Sequence, residues 1–397
     1  MTTTKNNEHK NIKVPNLRFP EFQGEWKEER LADIADLYKG TGISKDQLSD
    51  DGEPCILYGE LYTKYKSETI REVISKTNID NTKLVRSKAN DVIIPCSGET
   101  AEDIATARCV LNGNILLGGD LNIIRLHRYD GTFMSYQLNG RRKYDIAKVA
   151  QGVSVVHLYG EHLKGVKTIN PCLEEQKKIA SLLALLDERI TTQNKIIEDL
   201  KMLKSAIIEK LYKEIQGTWY SYRQLFSIIN ERNKQLEYSN VLSASQERGM
   251  VSREDLNLDI HFERSNISTY KIVKNGDYVI HLRSFQGGFA FSEKTGICSP
   301  AYTVLRPNNL LVYGYLSNYF TSRDFVKSLI IVTYGIRDGR SINVDEWLDM
   351  KVVIPSKEQQ THIVNVIESI ENKIKNEETY SNCLLNQKQY LLRQMFI

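Results

Sequence analysis

The chain has 397 residues, 41% of them hydrophobic and 26% charged, a composition that excludes a disordered or fibrous protein and leaves room for two or three globular domains. Its 53 basic and 50 acidic residues leave a formal net charge of +3, which excludes a global polycation, so any nucleic-acid surface must be local. The six cysteines fall without a CxxC pair or a close histidine partner, which signals neither a zinc site nor a disulfide framework.

Residues 1–25 read as a polar, Lys-rich arm without the apolar core of a signal peptide, and no stretch of the chain approaches eighteen apolar residues. The expectation is a cytoplasmic protein with no export and no membrane span. The arm runs into FQGEW (Phe22–Trp26), and IQGTW (Ile215–Trp219) repeats it almost verbatim. Each tryptophan is expected to pack as a framework anchor at the entrance to a domain.

Residues 26–170 form the first such domain, with strands expected around PCILYGEL, DVIIPCS and LNIIRLH. Residues 171–214 follow as a long helix. A second domain at 215–354 has strands expected around YKIVKNGDYVIHLRS and AYTVLRP, and residues 355–397 form a second helix. Both domains mix short β-branched and aromatic runs with turn residues, which predicts twisted sheets with a few helices. SKANDVIIP echoes VKNGDYVIH, and LNIIRL echoes YTVLRP.

The helices carry the clearest repeat. KTINPCLEEQKKI from Lys167 aligns without gaps on KVVIPSKEQQTHI from Lys351, 184 residues later, and the register holds to the end of the chain. Matched positions include Pro171/Pro355, Glu174/Glu358, Gln176/Gln360, Ile179/Ile363, Asp187/Glu371, Ile190/Ile374 and Lys204/Lys388. Alternate steps of four and three visit Ile179, Leu183, Leu186, Ile190, Gln193 and Ile197 in the first copy, and Ile363, Ile367, Ile370, Ile374 and Glu377 in the second. That is a heptad seam with matched polar breaks. Forty helical residues span about 60 Å, and an apolar seam of that length needs a partner, most simply the other copy. If the two pair antiparallel, Gln193 and Glu377 meet near a pseudo-twofold axis and fix the register. Lys204 and Lys388 read as solvated or snorkelling side chains.

The polar loops between the strands carry the residue types that read DNA: Arg and Lys for phosphates and guanine, Asn and Gln for adenine. In the first domain these are YKGTGISK, YTKYKS, CSGET and GRRKYDIAK, with Lys39, Thr41, Lys64, Arg141, Arg142 and Lys143 as candidate contacts. In the second they are SASQERG, HLRSFQGGF and TYGIRDGRS, with Gln246, Arg248, Arg283, Ser284, Gln286, Arg337 and Arg340. No GxxxxGK[ST], strand-bound GxGxxG or HExxH motif occurs, so no local signature points to catalysis or a bound metal. Two other classes stay open: a coiled-coil scaffold whose two globular domains bind proteins, and a stand-alone DNA methyltransferase or nuclease.

The opening NLRFPEFQGEW, two unlike domains and two copies of the Pro-x-x-Glu-x-Gln helix together resemble the specificity subunit of a type I restriction-modification enzyme, over essentially the whole chain. The resemblance implies an α+β fold of two mixed α/β target-recognition domains in a pseudo-twofold repeat, joined by two long helices pairing as an antiparallel coiled coil. It further implies a non-catalytic reader of a bipartite double-stranded DNA target, with each domain reading one half. Two methylation subunits would dock on the spacer helices, with restriction subunits beyond them. S-adenosylmethionine, ATP and Mg2+ would then belong to those partners, and this chain would hold no cofactor of its own. The recognition loops vary among members, so the DNA-contacting residues named above do not come from the resemblance.

Overall fold

In the computed structural model the described residues are 13–80, 82–152, 155–245, 248–256, 264–281, 288–334 and 341–397. Three helices organise the chain: α1 (Gly131–Asn139), α2 (Leu173–Lys213) and α3 (Lys357–Met395). Among the described residues no helix is long and apolar enough to cross a membrane. The chain packs as two compact units, unit 1 comprising Met1–Asn194 with Thr379–Ile397, and unit 2 comprising Lys195–Glu378. Each unit therefore holds one domain, part of α2 and part of α3.

The sheet of unit 1 runs Ala35–Lys39, Leu121–Leu126, Asp91–Pro95, Arg108–Val110 and Thr69–Ile70. All neighbours are antiparallel except the last pair. The sheet of unit 2 runs Phe226–Ile229, Thr303–Pro307, Tyr278–Ile280 and Phe289–Phe291, antiparallel throughout. In both, the first strand is followed by a strand from late in the domain, and the DVIIP or YVI strand comes next. The central strand DVIIP is buried along its whole length, as expected of a strand covered on both faces. YKIVKNGDYVI divides into two strands, Lys271–Val273 and Tyr278–Ile280. The turn between them passes through Gly276 at φ +91°.

The two echoes noted in the sequence share one structural cause. Asp91 accepts the Lys88 N–H at 2.7 Å and a bidentate bond from Arg125 at 2.9 and 2.7 Å. Asp277 accepts the Lys274 N–H at 2.8 Å and both Arg306 bonds at 2.8 Å. In each unit a buried carboxylate thus closes its own turn and clamps the adjacent strand, with the planar guanidinium fork matching its two oxygens.

Gln176 and Gln360 explain the Pro-x-x-Glu-x-Gln opening. The Gln176 amide donates to the Pro171 carbonyl at 2.8 Å and accepts the Asp130 N–H at 2.9 Å. The Gln360 amide donates to the Pro355 and Leu310 carbonyls at 3.0 Å and accepts the Val312 N–H at 2.8 Å. Each glutamine ties the start of a long helix to its own domain. Glu174 and Glu358 lie in the first turns, where the helix dipole favours a negative charge.

The long helices pair antiparallel inside each unit. In unit 1, Asp187 meets Lys388 at 2.6 Å and Asn194 meets Ser381 at 3.0 Å, so one number rises as the other falls. In unit 2, Lys204 meets Glu371 at 2.6 Å and Lys201 meets Glu378 at 2.7 Å. The seam is packed: Ile179, Leu183, Leu186, Ile190, Ile363, Ile367 and Ile374 are buried, and Ile370 is half-buried. Gln193 is buried in unit 1, while in unit 2 Glu377 pairs with Lys373 on its own helix. Lys204 and Lys388, read above as solvated or snorkelling, instead each bind the acidic residue of the other copy, Glu371 and Asp187. A lysine at a seam position reaches across the pair more easily than it reaches water.

The tryptophan echo is corrected. Strand Lys27–Arg30 pairs with Lys167–Asn170, and Thr218–Ser221 pairs with Lys351–Ile354, in matching registers. Lys27 and Thr218 therefore hold the same place, which sets Trp26 level with Gly217 rather than with Trp219. Trp26 is 2% exposed and packs edge-on to Phe133 at 5.8 Å, whereas Trp219 is 65% exposed. The buried indole of unit 2 is Trp347, stacked on Tyr222 at 4.3 Å.

Candidate nucleic-acid interface

In unit 1 the register places the end of Ala35–Lys39, the start of Leu121–Leu126 and the end of Asp91–Pro95 at one edge of the sheet. The YKGTGISK and CSGET loops both leave from that edge. Backbone bonds hold them there: Gly40 N–H to the Leu121 carbonyl at 2.9 Å, and Cys96 N–H to the Asp120 carbonyl at 2.7 Å. Strand Val156–His157 joins them by pairing with Ser97–Gly98. In unit 2, Ile280 pairs with both Thr303 and Phe289, so His281 and Gly288, the described ends of HLRSFQGGF, stand at the corresponding edge of its sheet.

A cleft of about 610 Å³ opens beside the CSGET loop and gathers Tyr62 and Thr63 of YTKYKS, Ser97, Gly98 and Glu99 of CSGET, and Tyr58. The Tyr62 hydroxyl donates to the Ser97 carbonyl at 3.3 Å, and burial, with Asp103 nearby, keeps it protonated by raising its pKa. A Cβ at Gly98 would sit 3.2 Å from that hydroxyl and 3.3 Å from Ile104 Cβ, which favours glycine at the turn. The cleft offers flat aromatic surface and hydroxyls, plus the exposed Glu99, a pure acceptor suited to an exocyclic base amine rather than to phosphate. Sequence reading named the loops but missed Tyr58, and missed His157, whose ring lies 3.3 Å from the Ser97 hydroxyl. An isolated Tyr or His carries no periodic signal.

The named candidates within the described residues divide three ways. Lys39 is exposed at the sheet edge, with its ammonium 3.9 Å from Asp120, and Arg248 is exposed in the turn before Gly249–Ser252. Thr41 accepts the Val85 N–H at 3.0 Å, and the Lys64 ammonium holds the buried Glu60 at 2.7 Å and Ser75 at 2.6 Å, so both serve the domain's own framework. Arg141 and Arg142 donate to the carbonyls of Arg393 and Ile397 at 2.9 Å each, and Lys143 opens the short helix beside them. Free carbonyls at a helix C-terminus attract cations, which accounts for arginines being drawn to the end of α3. Gln246, Arg283, Ser284, Gln286, Arg337 and Arg340 lie outside the described residues.

Comparison with known proteins agrees with this architecture. Residues 23–202 match the family model for the type I restriction modification DNA specificity domain. The chain is 24% identical to the type I restriction enzyme MjaVIII specificity subunit of Methanocaldococcus jannaschii, over 90% of this chain and 88% of that one. Its fold is similar to that of the type I restriction-modification S subunit from M. genitalium, with TM-score 0.59, 15% identity, and 97% and 99% of the two chains covered. A second solved chain, from a study of complex assembly and conformational transition of the type I R-M system, gives TM-score 0.57 at 14% identity, over 94% and 97% of the two chains. In the stretch 23–202, in sequence along most of its length and in fold, the chain is therefore similar to type I restriction-modification specificity subunits.

Proposed function

We propose that each unit reads one half of a bipartite double-stranded DNA target through the loops at its sheet edge, that α2 and α3 set the spacing of the halves, and that methylation subunits dock on those helices. The reading rests chiefly on one observation: similar strand orders and the same Asp–Arg clamp recur in both units, while the loops leaving the equivalent edges differ in sequence. A shared frame with divergent edges is what two readers of different half-sites require, as half-site spacing in dimeric readers follows protein geometry. Docking is supported by apolar side chains left in water on the helices. Leu185 of unit 1 is 62% exposed, and Met202 and Leu203 of unit 2 are 64% and 51% exposed, apolar area that a docked subunit would remove from water.

Base modification with S-adenosylmethionine and cleavage with ATP and Mg2+ are assigned to the methylation and restriction subunits, and this chain acts without catalysis of its own. The deciding experiment maps methylated adenines across the host genome with and without the gene. The expected result is loss of one split motif. Exchange of residues 26–170 for those of a relative should then change only one half of that motif. Methyl transfer or cleavage by the purified chain alone would overturn the proposal, as would a complex that shows no sequence preference.

A further inference from the structure

In unit 1 one ionic cluster joins the domain to both long helices. The Lys388 ammonium of α3 lies 2.6 Å from Glu68 of the domain and 2.6 Å from Asp187 of α2. The Tyr136 hydroxyl of α1 donates to the second Asp187 oxygen at 2.6 Å, and the Ser67 hydroxyl reaches it at 3.3 Å. All three charged side chains are at most 15% exposed. Burial alone lowers the Lys388 pKa, but the two carboxylates outweigh it and leave the pKa raised. Burial pushes Glu68 up against the pull of Lys388.

Glu68 ends the segment whose earlier residues line the cleft. From inside, Arg108 holds that segment by donating to the Tyr65 carbonyl at 3.2 Å and the Leu61 carbonyl at 3.4 Å. Tyr62 and Thr63 belong to this anchored stretch. Among the described residues, unit 2 repeats only half of the device: Lys204 meets Glu371 at 2.6 Å, with side chains 26% and 44% exposed. Among the described residues the domain-borne carboxylate is found in unit 1.

We infer that Glu68, Asp187 and Lys388 form a positioning device through which the paired helices hold the Tyr58–Glu68 segment in its reading geometry, so that base preference at the first half-site depends on a lysine 320 positions away in the chain. This rests on the proposal that unit 1 reads a half-site. None of the three residues lines the cleft, so they act through Tyr62 and Thr63.

The test uses the complex reconstituted with its methylation subunits and measures methylation on a library randomised in both half-sites. With Lys388→Met, discrimination at one or more positions of the first half-site should fall about tenfold or more, the scale of one lost base contact, with the second half-site unchanged. Lys388→Arg should restore it, and Lys204→Met should leave base preference at both halves intact. If Lys388→Met fails to assemble, Glu68→Gln, which keeps the shape and removes the domain's charge, decides the matter, with relaxation expected at the same half. Unchanged preference at both halves in Lys388→Met, or in Glu68→Gln where the first does not assemble, overturns the inference. Equal relaxation at both halves also overturns it, since a merely structural role would act so. A wild-type complex without a split preference would instead overturn the underlying reading of unit 1.

Discussion

Gln176 and Gln360 show how a single side chain can set a junction. Replacing Gln176 with Ala strands the Asp130 N–H and the Pro171 carbonyl, and an unsatisfied buried polar group costs about 1–3 kcal/mol. Gln176→Ala and Gln360→Ala should each lower the unfolding free energy in a denaturant titration by that amount, and a loss below about 0.5 kcal/mol, the range of ordinary surface changes, would deny them the role. Arg306→Ala leaves the Asp277 carboxylate, 2% exposed, without its counter-ion. Breaking a buried pair costs about 3–5 kcal/mol, and the low end applies because Arg306 is 32% exposed. The cysteines differ sharply: burial raises Cys109 and Cys298 to about 12 and Cys55 and Cys96 to about 11, while Cys172 and Cys383 are exposed. Since the thiolate is the reactive form, mass spectrometry after alkylation of the folded protein at about pH 8, near the ordinary thiol range, should find only Cys172 and Cys383 modified. Early labelling of Cys109 would contradict that.

Among elements, the long helices were the most legible, because a seven-residue apolar period sustained over forty residues fits little besides a long paired helix. The strands DVIIP and LNIIRL were legible for a similar reason, being continuous β-branched runs. The QGxW echo misled, since four letters cannot fix a register and strand pairing offsets the two copies by two positions. A difference in stability should follow. Trp26→Ala and Trp347→Ala remove fully packed rings and should cost about 3–5 kcal/mol, while Trp219→Ala should stay within about 0.5 kcal/mol. A large loss at Trp219 in a thermal or denaturant melt would contradict its exposed placement. The arginines of GRRK show the opposite difficulty. Nothing in that stretch reveals that the carbonyls they bind belong to residues 252 and 255 positions later, and long-range partners of charged residues leave no local pattern.

At the scale of the molecule, the duplicated frame was readable because both copies keep the residues that build it: the clamped Asp and Arg, the Gln at each helix start, the apolar seam. The edge proposed to read DNA was legible only as a set of loops. Which side chains face outward depends on internal bonds such as Lys64 to Glu60, which engage cations that a sequence counts as free. The extra sheet in unit 1, with Leu116–Leu117, Glu53–Ile56, Ser75–Thr77 and Leu48–Ser49 in order, has no four-stranded counterpart among the described residues of unit 2. Short strands at a domain's periphery carry too few residues for alternation to stand out.

The Lys388 cluster also orders events in time. Unit 1 draws its final residues from Thr379–Ile397, so a ribosome that has finished Asp187 must add about 200 more residues before Lys388 exists. At roughly 5–20 residues per second that is about 10–40 s, during which Glu68 and Asp187 lack their shared cation and the seam of α2 lacks α3. The first domain to be made is therefore the last to be completed. A nascent chain stalled before Thr379 should be cut by protease in the Tyr58–Glu68 segment far faster than the released protein, and equal resistance would mean that the domain closes without its distant lysine.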